Sequence, residues 1–226
     1  MIMMKRKPLD EILLMLSGLD SVLVLGCNGC AGIYQVGGEK QAEVEKILLE
    51  MATKLKQNRD VKVGSATVLR QCDRQIIETS LKPIIGDYDS ILSLACGVGM
   101  QTLADVFEDK LILPANDTVF MGAQDRELGK SYELCKACGE CILFETGGIC
   151  PITRCAKSLM NGPCGGMVKG KCEVGGLAKD CAWVLIFDRL KKRKRLDLFE
   201  KLREAKDFRE SQHPRELGGI EEAKKE

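Results

Sequence analysis

Cysteines carry most of the chemistry available to this chain. Twelve of its 226 residues are cysteine, against one histidine and one tryptophan. Four lie in the first hundred residues, at Cys27, Cys30, Cys72 and Cys96. The other eight are Cys135, Cys138, Cys141, Cys150, Cys155, Cys164, Cys172 and Cys181. Because thiolates are ligands for soft metals and histidine is nearly missing, the pattern predicts all-sulfur iron–sulfur sites, with zinc held by four cysteines as the alternative.

The expected compartment favours metal binding over disulfides. A chain of 226 residues can bury a core without covalent staples. Lys5, Arg6 and Lys7 resemble the start of a signal peptide, but the apolar run at residues 12–16 is too short for one. The longest uncharged stretch, residues 21–38, contains five glycines and could not satisfy its backbone in lipid. We therefore expect a cytoplasmic protein without a membrane span.

Composition also limits the partners. The net charge is +1, from 34 basic and 33 acidic residues, and aromatic residues make up 4% of the chain. Few side chains can therefore stack on bases, and no nucleic-acid partner is expected. The basic run at residues 189–195 has acidic neighbours, which favours a solvated helix face over a nucleic-acid patch. His213 lies in a charged tail and is assigned to solvent, so we expect no catalytic residue.

Residues 21 to about 125 alternate short apolar runs with amphipathic stretches, which is typical of βαβ units. We predict an α/β fold whose N-terminal domain has a parallel sheet of the Rossmann or flavodoxin type. Strands are predicted at 21–25, 61–69 and 90–95, with 111–113 and 119–121 supplying a fourth, and helices at 9–16, 39–56, 74–81 and 101–108. The first helix is expected to cover an edge of the sheet. In helix 39–56, Val44, Ile47, Leu48 and Met51 recur at helical spacing, so this face is expected to pack on the sheet.

The N-terminal cysteines all follow predicted strands. Cys27 and Cys30 come after the first strand, Cys72 after the second and Cys96 after the third. Because open parallel sheets bind ligands outside the carboxyl ends of their strands, three loops are expected to deliver four sulfurs to one place. Neighbouring glycines, such as Gly97, are expected to aim N–H groups at a cluster.

Two other interpretations of this region stay open. Cys27 and Cys30 could form a thioredoxin-like redox pair, with Cys72 and Cys96 as buried apolar residues. The glycine-rich loop after the first strand could instead bind a nucleotide, although it lacks the GxGxxG fingerprint.

The eight later cysteines form a second region. Cys135, Cys138 and Cys141 make a CxxCxxC run that can wrap one cubane if a distant cysteine completes it. Eight residues separate Cys141 from Cys150, against three in bacterial ferredoxins, so a ferredoxin fold is not indicated. Most of the remaining cysteines are expected to form a second site, and the spacing does not partition them. Zinc at one of the two sites is the alternative, since four-cysteine zinc stabilises loop-rich segments.

Several strings in this region are specific. They are GGICPITRCAK, ending at Lys157, NGPCGG at 161–166, GKCEV at 170–174 and CAW at 181–183. Together they resemble the cysteine-rich C-terminal domain of methylenetetrahydrofolate reductases. With the N-terminal strings GCNGCAG and ACGVG, the chain is similar to the MetV family, the small iron–sulfur subunits of such reductases in anaerobic bacteria. The resemblance covers most of residues 20–200.

That resemblance implies an electron-transfer role. Members pair with a MetF-like flavoprotein, a barrel that carries FMN and reduces methylene- to methyl-tetrahydrofolate, sometimes inside larger hydrogenase-like or heterodisulfide-reductase-like assemblies. The chain would then hold two or three [4Fe–4S] clusters, or zinc in place of one, with all twelve cysteines as ligands. The FMN would lie in the partner only. A flavin barrel needs about 250 residues by itself, so folate chemistry on another subunit is expected.

Three domains and three functions are considered at this point. The expected domains are an α/β cluster-binding domain at 1–127, a cysteine-rich metal domain at 128–183 and a C-terminal helical tail at 184–226. The leading function is a non-catalytic electron-transfer subunit of an oxidoreductase complex. The alternatives are a zinc-stabilised structural subunit of the same complex, or an electron carrier for another anaerobic one-carbon enzyme.

Overall fold

The computed structural model describes residues 1–217, and the chain divides into two compact units. The first runs from Met1 to Tyr132, and the second begins at Glu133. Of the predicted tail at 184–226, residues 218–226 lie outside the described residues. In the described part of the chain, no helix is long and apolar enough to cross a membrane.

The first unit is built around a parallel sheet. The strands of the chain are β1 (Ile2–Arg6), β2 (Ser21–Cys27), β3 (Lys62–Val68), β4 (Ser90–Ser93), β5 (Leu111–Pro114), β6 (Asn116–Asp125) and β7 (Lys130–Cys135). Four of them form a sheet in the order β3-β2-β4-β5, and every neighbouring pair runs parallel. The predicted α/β class with a parallel sheet is confirmed.

Helices cover both faces of this sheet. They are α1 (Leu9–Met15), α2 (Cys30–Ile33), α3 (Glu39–Gln57), α4 (Arg74–Leu81) and α5 (Gly97–Val106). Side chains alternate along a strand, so Val22 and Val24 face α1 and α3, whereas Leu23 and Leu25 face α4 and α5. Helix α1 packs on this face beside α3 and contacts β5, which is an edge strand of the sheet.

Helix α3 packs on the sheet through a different face from the predicted one. Val44, Ile47 and Met51 are more than half exposed, and the buried face consists of Ala42, Glu45, Leu49, Ala52 and Thr53. The helix has two apolar faces, and periodicity alone does not say which one meets the sheet. The face with two alanines is the one that packs, and its Glu45 is held in an ion pair by Arg6.

The chain also contains a second, smaller sheet, which the sequence analysis does not predict. Strands β1, β6 and β7 form it, and β1 pairs antiparallel with β6, about 120 residues away in sequence. Residues 119–121, expected to join 111–113 in the fourth parallel strand, belong to β6 in this other sheet. Pro114 ends β5 and separates the two strands, so the chain leaves one sheet and enters the other within a few residues.

The second unit has little regular structure. Its helices are α6 (Pro151–Arg154), α7 (Ala182–Lys192) and α8 (Asp197–Glu200), followed by a 3₁₀ turn at Phe208–Ser211. Its buried apolar cluster consists of Ile149, Cys181, Trp183, Ile186 and Leu190. Trp183 is 1% exposed and packs with Ile149 and Cys181 of the cysteine-rich segment. The tail from residue 184 was expected to be helical, but α8 ends at Glu200 and Leu202 is exposed.

Candidate metal centres

The four N-terminal cysteines line one cavity. Cys27 ends β2, Cys30 begins α2, Cys72 lies between β3 and α4, and Cys96 precedes α5. Their cavity has a volume of about 340 Å³, and its wall also includes Asn28, Gly29, Leu69, Arg70, Gln71 and Gly99. The structure therefore places around one cavity the four cysteines that the strand order predicts to be neighbours.

The thiols of this cavity lie in different environments. Cys27 and Cys96 are buried, Cys30 is half-buried and Cys72 belongs to an exposed loop. Partial burial raises the pKa of the Cys72 thiol, and the charges of Cys96 and Cys27 raise it further. A cation bound beside Cys72 would favour the thiolate form of this residue.

Backbone groups around the cavity only partly follow the prediction. The Gly97 N–H donates to the hydroxyl of Thr118 at 2.8 Å, so the expectation that it points at a cluster is wrong. Gly99 has a packing role, because a Cβ there would lie 2.8 Å from the Cβ of Gln71. Gln71 was missed in the sequence, since a lone glutamine in a polar loop gives no periodic or spacing signal.

Four of the later cysteines line a second, much smaller cavity. Cys155, Cys164, Cys172 and Cys181 share it with Arg154, Lys157, Met167, Glu173 and Trp183, and its volume is about 20 Å³. A single buried water needs about 10–15 Å³ on this measure. The cavity thus has room for one atom-sized guest. Its four cysteines form a group that spacing did not identify.

The loop that carries Cys172 is tied back to the start of α7. The Cys172 N–H donates to the Lys179 carbonyl and the Cys181 N–H to the Gly170 carbonyl, each at 2.8 Å. These bonds hold residues 170–181 as a narrow loop, so Cys172 and Cys181 stay close although nine positions apart.

Lys157 lies beside one of these thiols. Its ammonium pairs with Glu173 and lies 3.8 Å from the Cys164 sulfur. The Glu173 carboxylate, and after it the Cys164 thiolate, raise the pKa of Lys157. The basic side chain near the cavity is thus held by its own chain.

The CxxCxxC run lies in a separate loop of the second unit. Cys135 ends β7, and its sulfur accepts the N–H of Ala137 at 3.3 Å. The hydroxyl of Thr153, in the short helix just after Cys150, donates to the Leu134 carbonyl at 3.2 Å. This bond ties the segment that follows Cys150 to the residue that precedes Cys135.

C-terminal residues also contact this loop. The Arg215 guanidinium donates to the Ala137 carbonyl at 2.6 Å, and the buried Lys206 ammonium donates to the Glu140 carbonyl. Two cations therefore bind peptide groups between the cysteines of the run.

The NGPCGG string has a packing explanation. Asn161 exchanges two hydrogen bonds with the backbone of Arg203, at 2.8 and 2.9 Å. At Gly162 a Cβ would lie 2.3 Å from the Trp183 ring, so only glycine permits this contact. Asn161 and Gly162 thus position the tail and the tryptophan next to Cys164.

Replacing Gly162 with alanine is expected to destabilise the second unit. The added methyl must displace Trp183 or the backbone, which costs about 1–3 kcal/mol or more. Thermal unfolding monitored by the fluorescence of the single tryptophan measures the change. Gly165→Ala is the matched control, since a Cβ there meets nothing within 4 Å. Equal midpoints for the two variants would contradict the packing role.

Each cavity is lined by four cysteines, but their side chains are not arranged as a metal coordination shell. Among residues 1–217, no three histidine, cysteine, aspartate or glutamate side chains are grouped closely enough to hold one metal ion.

Part of the chain matches a known protein family. No curated protein and no solved structure matches the chain. The family model that matches carries the description methylene-tetrahydrofolate reductase C terminal, and the matched residues are 113–209. All eight later cysteines lie within that segment. The match confirms the broader part of the resemblance: residues 113–209 of this chain are related to the C-terminal region of the methylenetetrahydrofolate reductase system.

Proposed function

We propose that this chain is the electron-transfer subunit of a methylenetetrahydrofolate reductase. It would pass electrons through [4Fe–4S] clusters to the FMN of a MetF-like catalytic subunit. Reduction of methylene- to methyl-tetrahydrofolate consumes two electrons and two protons. The flavin would collect the electrons one at a time from this chain, and the protons would come from solvent. The family relation of residues 113–209 supports the enzyme system, and the cavity lined by Cys27, Cys30, Cys72 and Cys96 carries the electron-transfer assignment.

The N-terminal cavity fits a cluster in volume and in donor type. About 340 Å³ is many times the space of one water, so the cavity admits a guest of several atoms. Four thiolates without histidine or carboxylate among the lining residues are the donor set of a [4Fe–4S] cluster. Bound there, such a cluster would supply one-electron transfer. The chain's own part is to hold the four thiolates on three loops and to shield two of them from water.

The second unit fits one zinc ion and one further cluster. The cavity of about 20 Å³ admits a single ion, and Cys155, Cys164, Cys172 and Cys181 are the ligands expected for structural zinc. Cys135, Cys138, Cys141 and Cys150 then remain for the other site. The bond between Thr153 and Leu134 favours Cys150 as the distant ligand that completes the CxxCxxC run. The proposed content is two [4Fe–4S] clusters and one zinc per chain.

A second function is favoured by one observation. The small cavity suits zinc, and a chain holding zinc alone would be a structural subunit that steadies the flavoprotein without passing electrons. The two functions differ in iron content and in response to reductant, so they can be separated without an activity assay. An electron carrier for another anaerobic one-carbon enzyme would have the same metals but a different partner.

Anaerobic purification with analysis of iron, sulfide and zinc tests the proposal. We expect about eight irons per chain, the content of two four-iron clusters, together with one zinc. Dithionite should bleach the visible absorbance and produce a low-temperature EPR signal. A colourless chain that holds only zinc would establish the structural alternative. An iron-loaded chain that co-purifies with no FMN-containing protein would refute the assigned partner.

A further inference from the structure

Gln71 is a fully buried side chain beside a candidate ligand. It directly precedes Cys72, and its exposure is 0%. Its amide nitrogen donates to the carbonyls of Leu25, at 2.8 Å, and Gly26, at 3.1 Å, and its amide oxygen accepts the hydroxyl of Ser93 at 2.6 Å. Both amide protons and the carbonyl oxygen are thus engaged.

The partners of Gln71 belong to the chain segments that lead into two other cysteines of the cavity, Cys27 and Cys96. Leu25 and Gly26 are the last two residues before Cys27. The Ser93 hydroxyl also accepts the N–H of Ala95, the residue before Cys96, at 3.3 Å. One side chain therefore connects the loop of Cys72 to the segments that carry Cys27 and Cys96.

The bonds of Gln71 reach the point where the pairing of β2 with β4 ends. The ladder between β2 and β4 ends at the pair of Leu25 and Ser93, and the ladder between β2 and β3 ends at Cys27 and Val68. Gln71 binds at Leu25 and Ser93, the pair at which β2 and β4 part, while β2 and β3 are still paired there. The Gln71 amide therefore ties the loop after β3 to both β2 and β4.

No other side chain of similar size offers the same bonds. Ionised glutamate has the acceptor but no donor for the two carbonyls, and methionine has only a weakly accepting sulfur. Helix α5 also closes over the site, since a Cβ at Gly99 would lie 2.8 Å from the Gln71 Cβ. The three hydrogen bonds and the close approach of Gly99 thus favour glutamine at position 71.

We propose that Gln71 is the positioning residue of the N-terminal cysteine site, where its amide sets the relative places of Cys27, Cys72 and Cys96. It does not itself bind the guest. This inference rests on the proposed function, in which a cluster occupies that cavity. Residues that orient metal ligands typically contribute 10- to 100-fold in metal affinity.

The test uses Gln71→Met and Gln71→Glu in the full chain, with Gln75→Met as the control, because Gln75 is exposed on the next helix. Iron retention under a competing chelator should fall about 10- to 100-fold in both Gln71 variants. Their EPR signal and reduction potential should also change, whereas Gln75→Met should match the wild type. Wild-type retention, signal and potential in Gln71→Met would overturn the proposal.

If Gln71→Met does not fold, a less disruptive variant can still test the proposal. Ser93→Ala removes one of the three bonds and should give a smaller loss of iron with an altered EPR signal. A folded Ser93→Ala chain with wild-type iron retention, EPR signal and potential would overturn the proposal.

A measurement on the metal-free chain separates this inference from the proposed function. Dibromobimane joins only neighbouring thiols, and mass spectrometry identifies the joined pairs. In the wild type it should link pairs among Cys27, Cys72 and Cys96, and Gln71→Met should lose these links. Unchanged links would refute the positioning role even if the chain carries no iron at all.

Discussion

Cys96→Ser is expected to remove one complete cluster, about four irons per chain, while zinc and the remaining iron stay bound. Cys96 is 9% exposed and lines the N-terminal cavity with three other cysteines. A serine hydroxyl is a harder and more weakly acidic ligand than a thiol, so the substituted site loses its affinity for iron–sulfur groups. Metal analysis of anaerobically purified protein, with EPR of the dithionite-reduced sample, measures the loss.

Two companion variants locate the effect. Val98→Ser places the same hydroxyl on an exposed side chain two residues away, removes no thiol and should leave the iron unchanged. Cys141→Ser should remove the other four irons and keep the N-terminal signal. If Cys96→Ser holds the wild-type amount of iron, the four cysteines do not share one site.

Cys172→Ser is expected to release the zinc and to unfold the second unit. A structural zinc site with four cysteines contributes about 10–16 kcal/mol of apparent binding free energy, whereas a whole domain is typically stable by about 5–15 kcal/mol. The apolar core of this unit consists of five buried residues, so it has little to offset such a loss. The first unit has its own, larger core and should stay folded with its iron.

Trp183 reports this unfolding directly. It is buried against the small cavity and is the single tryptophan of the chain, so its emission should shift to longer wavelength as it meets water. Limited proteolysis should then cut beyond about residue 133, where the second unit begins. Val174→Ser, at an exposed position two residues along, is the control. Zinc loss with unchanged Trp183 emission would show that the metal does not stabilise the fold.

The parallel sheet and the N-terminal cysteine neighbours could be predicted because the signals are local. The parallel strands β2, β3 and β4 are short segments between helical patterns, and each leads into a loop that carries a cysteine. The carboxyl ends of parallel strands meet at one edge, so chain order alone indicates which loops converge. The burial of Trp183 was predictable for a similar reason, since residues 183–187 form an uninterrupted apolar run.

The features that were missed depend on distant contacts. Strand β1 contains Lys5 and Arg6 and pairs with residues more than a hundred positions away, so it has no local pattern. Helix α3 has two apolar faces, and its buried Glu45 is explained only by Arg6. Gln71 binds carbonyls 45 and 46 positions earlier. The grouping of the last four cysteines needed the loop at residues 170–181, which spacing does not reveal.

The unequal cores of the two units have a consequence for biogenesis. The loops of Cys27, Cys72 and Cys96 stand on a sheet packed on both faces, so this half can reach its final shape before any guest arrives and can be loaded afterwards by exchange from a carrier. The cysteine-rich half has a much smaller core, so the proposed zinc would have to bind first and shape the polypeptide there. In cells short of zinc, the chain should therefore accumulate with its first unit folded and its second unit unfolded and open to proteases.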